Sequence, residues 1–400
     1  MNKIIFLFLG ISLASCNSVS KKSNGPDIVD ILSALKNQKE IKISQFVDDI
    51  EYIRLEETDQ SMLFYPLITV TDDYIIARNS GYSAMGPILL FDRKTGKFIR
   101  GIGKSGRGPE EFYLGSNLYN IYSKTIYALG YNNDIKEYDL EGKFRGSFKL
   151  PVMIDEKVDP KIGTPHINLS QYLKADLFVS NIVNFTGWDK RRIILFTRDS
   201  IVKIFPNYLF WERKNWRGLN SFGMNPNYFR WNNQLFLKDE FNDTVFQITE
   251  SSLIPMFVFD VGENNPKPEI MEQITNINEL RAKYYFIKNI SENNDYLFFQ
   301  LQFDNNTFTG FFDKKYKITN ICKIEENNKS GFVDDINVFL PIRPQEITQN
   351  NEIIFTLNPE EITNWIKDNP EKTLKLYSKL DWLRSYSPTS NPVIVIAKCR

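Results

Sequence analysis

A short pattern recurs in this chain after about 46 residues, and this period restricts the fold more than any other feature because it lies in the range of propeller blades. Phe91-Asp92 followed by Gly96-Lys97-Phe98 is answered by Tyr138-Asp139 followed by Gly142-Lys143-Phe144. Each copy falls in a group of four short alternating or β-branched runs, at 67–70, 74–78, 87–92 and 97–102, then at 117–122, 125–130, 134–139 and 143–150. Runs of that length, separated by turns rich in Asp, Asn and Gly, predict two consecutive four-stranded antiparallel units. Between them lies Gly101-Ile102-Gly103-Lys104-Ser105-Gly106-Arg107-Gly108-Pro109-Glu110-Glu111-Phe112. Its glycines permit backbone angles that other residues resist, and Pro109 removes a donor, so a sheet cannot continue through it. Phe112 supplies an apolar anchor at the exit, and the stretch reads as a blade-to-blade crossover.

The rest of the chain divides the same way with looser spacing. Runs at 176–184, 191–197 and 200–205 predict a third unit, and those at 229–238, 244–248 and 254–261 a fourth. Runs at 296–303, 307–313 and 316–321 give a fifth, and 336–341, 352–357 and 392–398 a sixth. The expected fold is all-β, a six-bladed β-propeller over residues 41–400, with short helical insertions at 268–283 and at 359–383, the latter broken at Pro370. A ring of blades exposes two sheet edges unless strands from the two chain ends pair, so the run at 393–398 is the expected clasp. An entry strand at 46–55 precedes the first blade.

The first sixteen residues combine Lys3, an apolar run from Ile4 to Leu13 and the sequence Leu13-Ala14-Ser15-Cys16. That run is too short to span a bilayer, and small residues precede the cysteine, as in a cleaved secretory signal. Residues 17–40 read as a polar tether ending in a weak helix or a loose segment. Composition narrows the function. Lys plus Arg and Asp plus Glu each number 49 and the basic residues are scattered, which argues against a nucleic-acid footprint. Cys322 and Cys399 lie in apolar, strand-like runs and read as small buried side chains, with a disulfide between them the alternative.

Three stretches taken in order carry a resemblance: the Gly103–Phe112 joint, Asn242-Asp243-Thr244-Val245-Phe246-Gln247-Ile248 with the strand ending Asp260-Val261-Gly262, and the terminal Asn391-Pro392-Val393-Ile394-Val395-Ile396. With them the chain resembles the six-bladed β-propeller lipoproteins of Bacteroidota, related in fold to NHL-repeat and TolB-like propellers. Leu13-Ala14-Ser15-Cys16 likewise resembles a lipobox, which implies cleavage before Cys16 and lipid attachment to that residue. Three acyl chains exceed what stable membrane attachment needs. The expected protein is a monomer, held at the outer membrane of a Gram-negative envelope. Surface-exported members tend to carry acidic residues soon after the cysteine, and Asn17-Ser18-Val19-Ser20-Lys21-Lys22 has none, so the periplasmic face is expected. The resemblance implies little about activity, since most members have none assigned.

No catalytic constellation stands out. His166 is the only histidine, so a multi-imidazole metal centre cannot be built, and its loop-like Gly163-Thr164-Pro165-His166 context lacks a nucleophile elbow. The acidic turns at 239–243 and 304–306 follow no calcium-loop spacing, and neither a metal nor a cofactor is expected. Lys104 and Arg107 are candidate ligand contacts, or else ion-pair partners within an exposed turn. Residues 207–231 mix Trp211, Trp216 and Trp231 with Arg213 and Arg217 in an expanded joint between the third and fourth units. Flat aromatic faces beside cationic donors suit sugar rings, peptides or aromatic ligands. The same aromatics could instead pack the joint onto the blades. The expected function is a non-catalytic module that binds a glycan, a peptide or an envelope protein. A lyase or hydrolase using carboxylates, Tyr and Arg in the central cavity, and a structural scaffold of an envelope complex, remain as alternatives.

Overall fold

The computed structural model describes residues 25–80, 86–113, 117–131, 134–150, 166–184, 187–212, 226–272, 277–324, 330–376 and 378–400. Its strands form six antiparallel sheets, each built around four strands, and the first strands of the blades approach one another at the centre. The protein is a six-bladed β-propeller. Blade 1 runs through Leu67–Val70, Tyr74–Arg78, Ile88–Asp92 and Phe98–Ile102, and blade 2 through Asn117–Asn120, Thr125–Leu129, Asp134–Tyr138 and Phe144–Lys149. Blade 3 comprises His166–Tyr172, Phe178–Val183, Arg191–Phe196 and Ile201–Pro206, and blade 4 Asn227–Trp231, Gln234–Lys238, Thr244–Ile248 and Leu253–Asp260. Blade 5 comprises Phe286–Glu292, Tyr296–Phe303, Asn306–Asp313 and Ile318–Ile321.

Blade 6 is made from both ends of the chain. Glu346–Ile347, Glu352–Leu357 and Val393–Cys399 are completed on the outside by Val47–Arg54, which pairs antiparallel with the terminal strand. The entry strand is therefore the partner that the expected clasp required. The edges left by a ring of this kind are thereby paired, which removes a template for association with other chains.

The core is divided among the blade interfaces. Phe91 and Leu89 of blade 1 pack with Ile394 and Ile396 of blade 6, Tyr127 of blade 2 with Phe178 of blade 3, and Phe259 of blade 4 with Phe299 of blade 5. Cys322 and Cys399 are buried thiols in the interface of blades 5 and 6, where burial pushes the Cys399 thiol up to about 11.

The glycine-rich joint does what its composition requires. Phe112 is buried between blades 1 and 2, and the Glu111 carboxylate accepts from the Gly108 amide at 2.9 Å. Gly103 has φ +59°, and a Cβ there would lie 2.9 Å from the Phe112 ring, so only glycine fits without displacement.

Four expectations need correction. Asp27–Asp30 is not tether but a fifth, parallel strand added to blade 4, and helix Ile31–Lys36, capped by Asp30, follows it where a weak helix or a loose segment was expected. Val29 and Ile31 are fully buried against blades 4 and 5, so two apolar side chains convert a polar stretch into a strap. The run at 229–238 is two strands, because Asn232 and Asn233 both adopt positive φ and make a tight hairpin turn. The run at 336–341 is not a strand, since the first strand of blade 6 is the short Glu346–Ile347. Finally, His166 opens a strand rather than lying in a loop. The helical insertions are Pro268–Glu272 with Ile277–Lys283, and Pro359–Asp368 with Pro370–Leu374.

Candidate functional site

A polar cavity of about 50 Å³ lies between blades 3 and 4, lined by Asn184, Arg192, Trp211 and Asp239 among others. Arg192 stands near the start of the third strand of blade 3, and Asp239 follows the second strand of blade 4. Their ion pair bridges the two blades, with both side chains largely buried. Phe246 lies under the Arg192 guanidinium, 5.1 Å from ring centroid to Cζ, so one face of that group is already occupied.

The rim is held by an amide network. Asn207 Nδ2 donates to the carbonyls of Asp189 and Leu209, both at 3.0 Å, and its Oδ1 accepts from the Leu209 amide at 3.1 Å. Asp189 in turn accepts from Arg191 Nε at 2.9 Å and Nη2 at 2.8 Å, a two-point contact that fixes both side chains. These bonds carry the chain over the cavity to Trp211. The Trp211 ring packs edge-on against Phe241, with centroids 6.2 Å apart, in a cluster that also holds Met271 and Phe286. Gly187 permits this approach, because a Cβ there would lie 2.0 Å from the Trp211 carbonyl oxygen.

Among the described residues, Asn184 Nδ2, Arg192 Nε and Trp211 Nε1 at the cavity have no hydrogen-bond partner. A buried donor left unpaired costs about 1–3 kcal/mol, so native structures seldom leave several in one place. The set is complementary to oxygen acceptors. Nearby, burial pushes the Tyr228 hydroxyl well above its ordinary value, with the Asp239 charge adding to the effect, so that phenol stays protonated.

The expected site residues do not gather in one place. Lys104 is exposed and paired with Glu111 at 2.8 Å, which pushes its amine up, and Arg107 stacks 4.5 Å from the Tyr131 ring. Both belong to the joint between blades 1 and 2. Trp231 ends the first strand of blade 4 and is partly buried among the residues that join blades 4, 5 and 6. Arg213, Trp216, Arg217 and Cys16 lie outside the described residues. Trp211 lines the cavity, its ring packed in the apolar cluster with Phe241 and its indole N–H buried without a partner among the described residues. Asn184 and Arg192 were not singled out by the sequence, where the adjacent Arg191-Arg192 at the start of an apolar strand was the available signal, and Asp239 appeared only in the acidic turn at 239–243 that was set aside as a metal site.

The fold and this cavity define a six-bladed β-propeller with a donor-rich pocket between two neighbouring blades. The chain belongs to the family described as Domain of unknown function (DUF4934), whose model matches residues 26–398. Among solved structures, it is similar to a Bacteroides fragilis NCTC 9343 protein described as exported, at 16% identity, covering 93% of this chain and 99% of that one with a TM-score of 0.66. A more distant likeness is to BamB from Moraxella catarrhalis, at 13% identity over 71% of this chain and 69% of that one, with a TM-score of 0.32. No curated protein matches the chain. Among the described residues, no helix is long and apolar enough to cross a membrane.

Proposed function

We propose that the protein is a binding module whose cavity between blades 3 and 4 holds an oxygen-bearing group, an amide carbonyl or carboxylate, projecting from a glycan or a peptide. The observation that carries this reading is that Asn184 Nδ2, Arg192 Nε and Trp211 Nε1, at one cavity, have no hydrogen-bond partner among the described residues. A space of about 50 Å³ suits a single small group rather than a sugar ring. The ligand therefore enters by one substituent and rests its remainder on the rim. The ion-paired Asp239 balances Arg192, so the pocket recognises through hydrogen bonds more than through net charge. A glycan and peptide array on the parent protein, repeated with Asn184→Leu, tests the reading. Hits that weaken in the variant support it, and hits that do not change contradict it.

The same proposal places the module, as a monomer, in the bacterial envelope, attached through lipid on Cys16 to the periplasmic face of the outer membrane. Leu13-Ala14-Ser15-Cys16 supports this, as does the description of the Bacteroides fragilis relative as exported. Cys16→Ala is expected to release the protein from membranes, and quantitative membrane fractionation of that variant would contradict the anchor. Proteolysis of intact cells distinguishes the two faces, with protection expected.

A further inference from the structure

A second group of polar residues lies at the propeller axis, away from the cavity between blades 3 and 4. Arg230, next to the end of the first strand of blade 4, spreads its guanidinium over Tyr172 of blade 3, 3.9 Å from the ring centroid. Its Nε, Nη1 and Nη2 are all sealed from bulk water, and none has a hydrogen-bond partner among the described residues. Tyr122 meets the Tyr172 ring edge-on, with centroids 5.8 Å apart, and makes an aromatic wall beside the cation. Across the axis, Glu346 stands on the first strand of blade 6, close enough for its charge to be felt at the Tyr172 hydroxyl.

The turns that follow the first strands knit this end of the channel together. The Asn233 amide donates to Gln349 Oε1 at 3.0 Å, the Tyr122 hydroxyl to Asn233 Oδ1 at 3.4 Å, and Asn350 Nδ2 to Asp72 Oδ1 at 2.7 Å. Arg230 thus lies where turns of blades 1, 2, 4 and 6 meet.

A guanidinium without water or an anion is a costly arrangement. Stacking on one tyrosine returns only about 2 kcal/mol. Burial accordingly pulls the Arg230 guanidinium below its ordinary value. Five N–H donors in a fixed plane match the two oxygens of a carboxylate better than any other small group. We propose that Arg230 is an oxyanion receptor at the propeller axis, holding the carboxylate of a small organic or sugar acid against the wall formed by Tyr172 and Tyr122. At pH 8, where Glu346 on the opposite strand is ionised, its charge disfavours a dianion and so selects a monoanionic carboxylate over phosphate.

The test is a thermal-shift titration of the full chain at pH 8 with sodium acetate, sodium glucuronate and sodium phosphate, each compared with sodium chloride at matched ionic strength. The melting temperature should rise with one or both carboxylates and not with phosphate. Arg230→Met should fold, melt no lower than the parent and lose the response. If Arg230→Met fails to fold, Arg230→Lys serves instead: it keeps the charge but not the planar fork, and its half-saturating concentration should rise about ten-fold. A parent that ignores both carboxylates, a response to phosphate alone, or an unchanged response in the Arg230 variant overturns the proposal. Asn184→Leu should retain the response in full, so this site and the cavity between blades 3 and 4 stand or fall separately.

Discussion

Asn391 Oδ1 accepts the backbone N–H of Leu63 at 2.8 Å, joining the residues before the terminal strand to the loop that leads into blade 1. The Nδ2 of Asn391 donates to the carbonyls of Glu56 and Ser61, both at 2.9 Å, so one fully buried side chain satisfies three backbone groups. Asn391→Ala removes a partner from the buried Leu63 amide and the buried Ser61 carbonyl, each loss costing about 1–3 kcal/mol, while the Glu56 carbonyl keeps its bond from the Ser61 hydroxyl at 2.7 Å. The expected outcome is a large drop in the urea midpoint, with Asn391→Asp nearly as damaging because it keeps only the acceptor. A variant lacking 393–400 should aggregate, since its loss exposes two strand edges in blade 6.

The N-terminal strap makes a sharper contrast between neighbours. Ile31 is fully buried under the outer faces of blades 4 and 5, whereas Ile28, three residues earlier, is 53% exposed. Ile31→Ala should cost about 2–5 kcal/mol and Ile28→Ala within about 0.5 kcal/mol. Urea unfolding of the two variants checks this, and equal effects would show that the strap does not belong to the folded core.

Glu346 provides a pH dependence. Loss of hydration pushes its carboxyl up to about 7 from 4.5, although the residue as a whole is exposed. The folded protein therefore holds this proton more tightly than the unfolded chain does. The resulting stability is complete below the ordinary carboxylate range and is lost as pH rises through about 7. The parent should lose more stability between pH 5 and pH 8 than Glu346→Gln, as read from urea midpoints. Parallel profiles for the two proteins would contradict the assignment.

Much of the propeller was legible because its middle strands are apolar, short and bounded by turns. Ile88–Asp92 and Asp134–Tyr138, with their Gly96 and Gly142 turns, state their own boundaries. First strands were harder to find. His166–Tyr172 carries Asn168, Ser170 and Gln171, and Phe286–Glu292 contains Asn289 at positive φ, so neither shows a clean alternation. Strands at the axis border polar space on one side, and this weakens the hydrophobic pattern. The candidate site was legible only in part. The aromatic density around Trp211 pointed to the joint that borders the proposed cavity, but how a tryptophan packs there depends on Phe241 and Met271, which are far away in sequence.

Trp211 also separates packing from recognition. Its ring is 7% exposed within the apolar cluster, so Trp211→Ala should cost about 3–5 kcal/mol of stability. Trp211→Phe keeps an aromatic ring and removes the N–H, which should spare most of that packing.

Calorimetric titration of an array-derived ligand into the parent, Asn184→Leu and Trp211→Phe tests the central claim most directly. If the cavity between blades 3 and 4 recognises an oxygen-bearing group, each variant should bind about ten-fold more weakly, the loss of one hydrogen bond at about 1–1.5 kcal/mol. Affinity unchanged in both variants, with folding intact, would contradict the account.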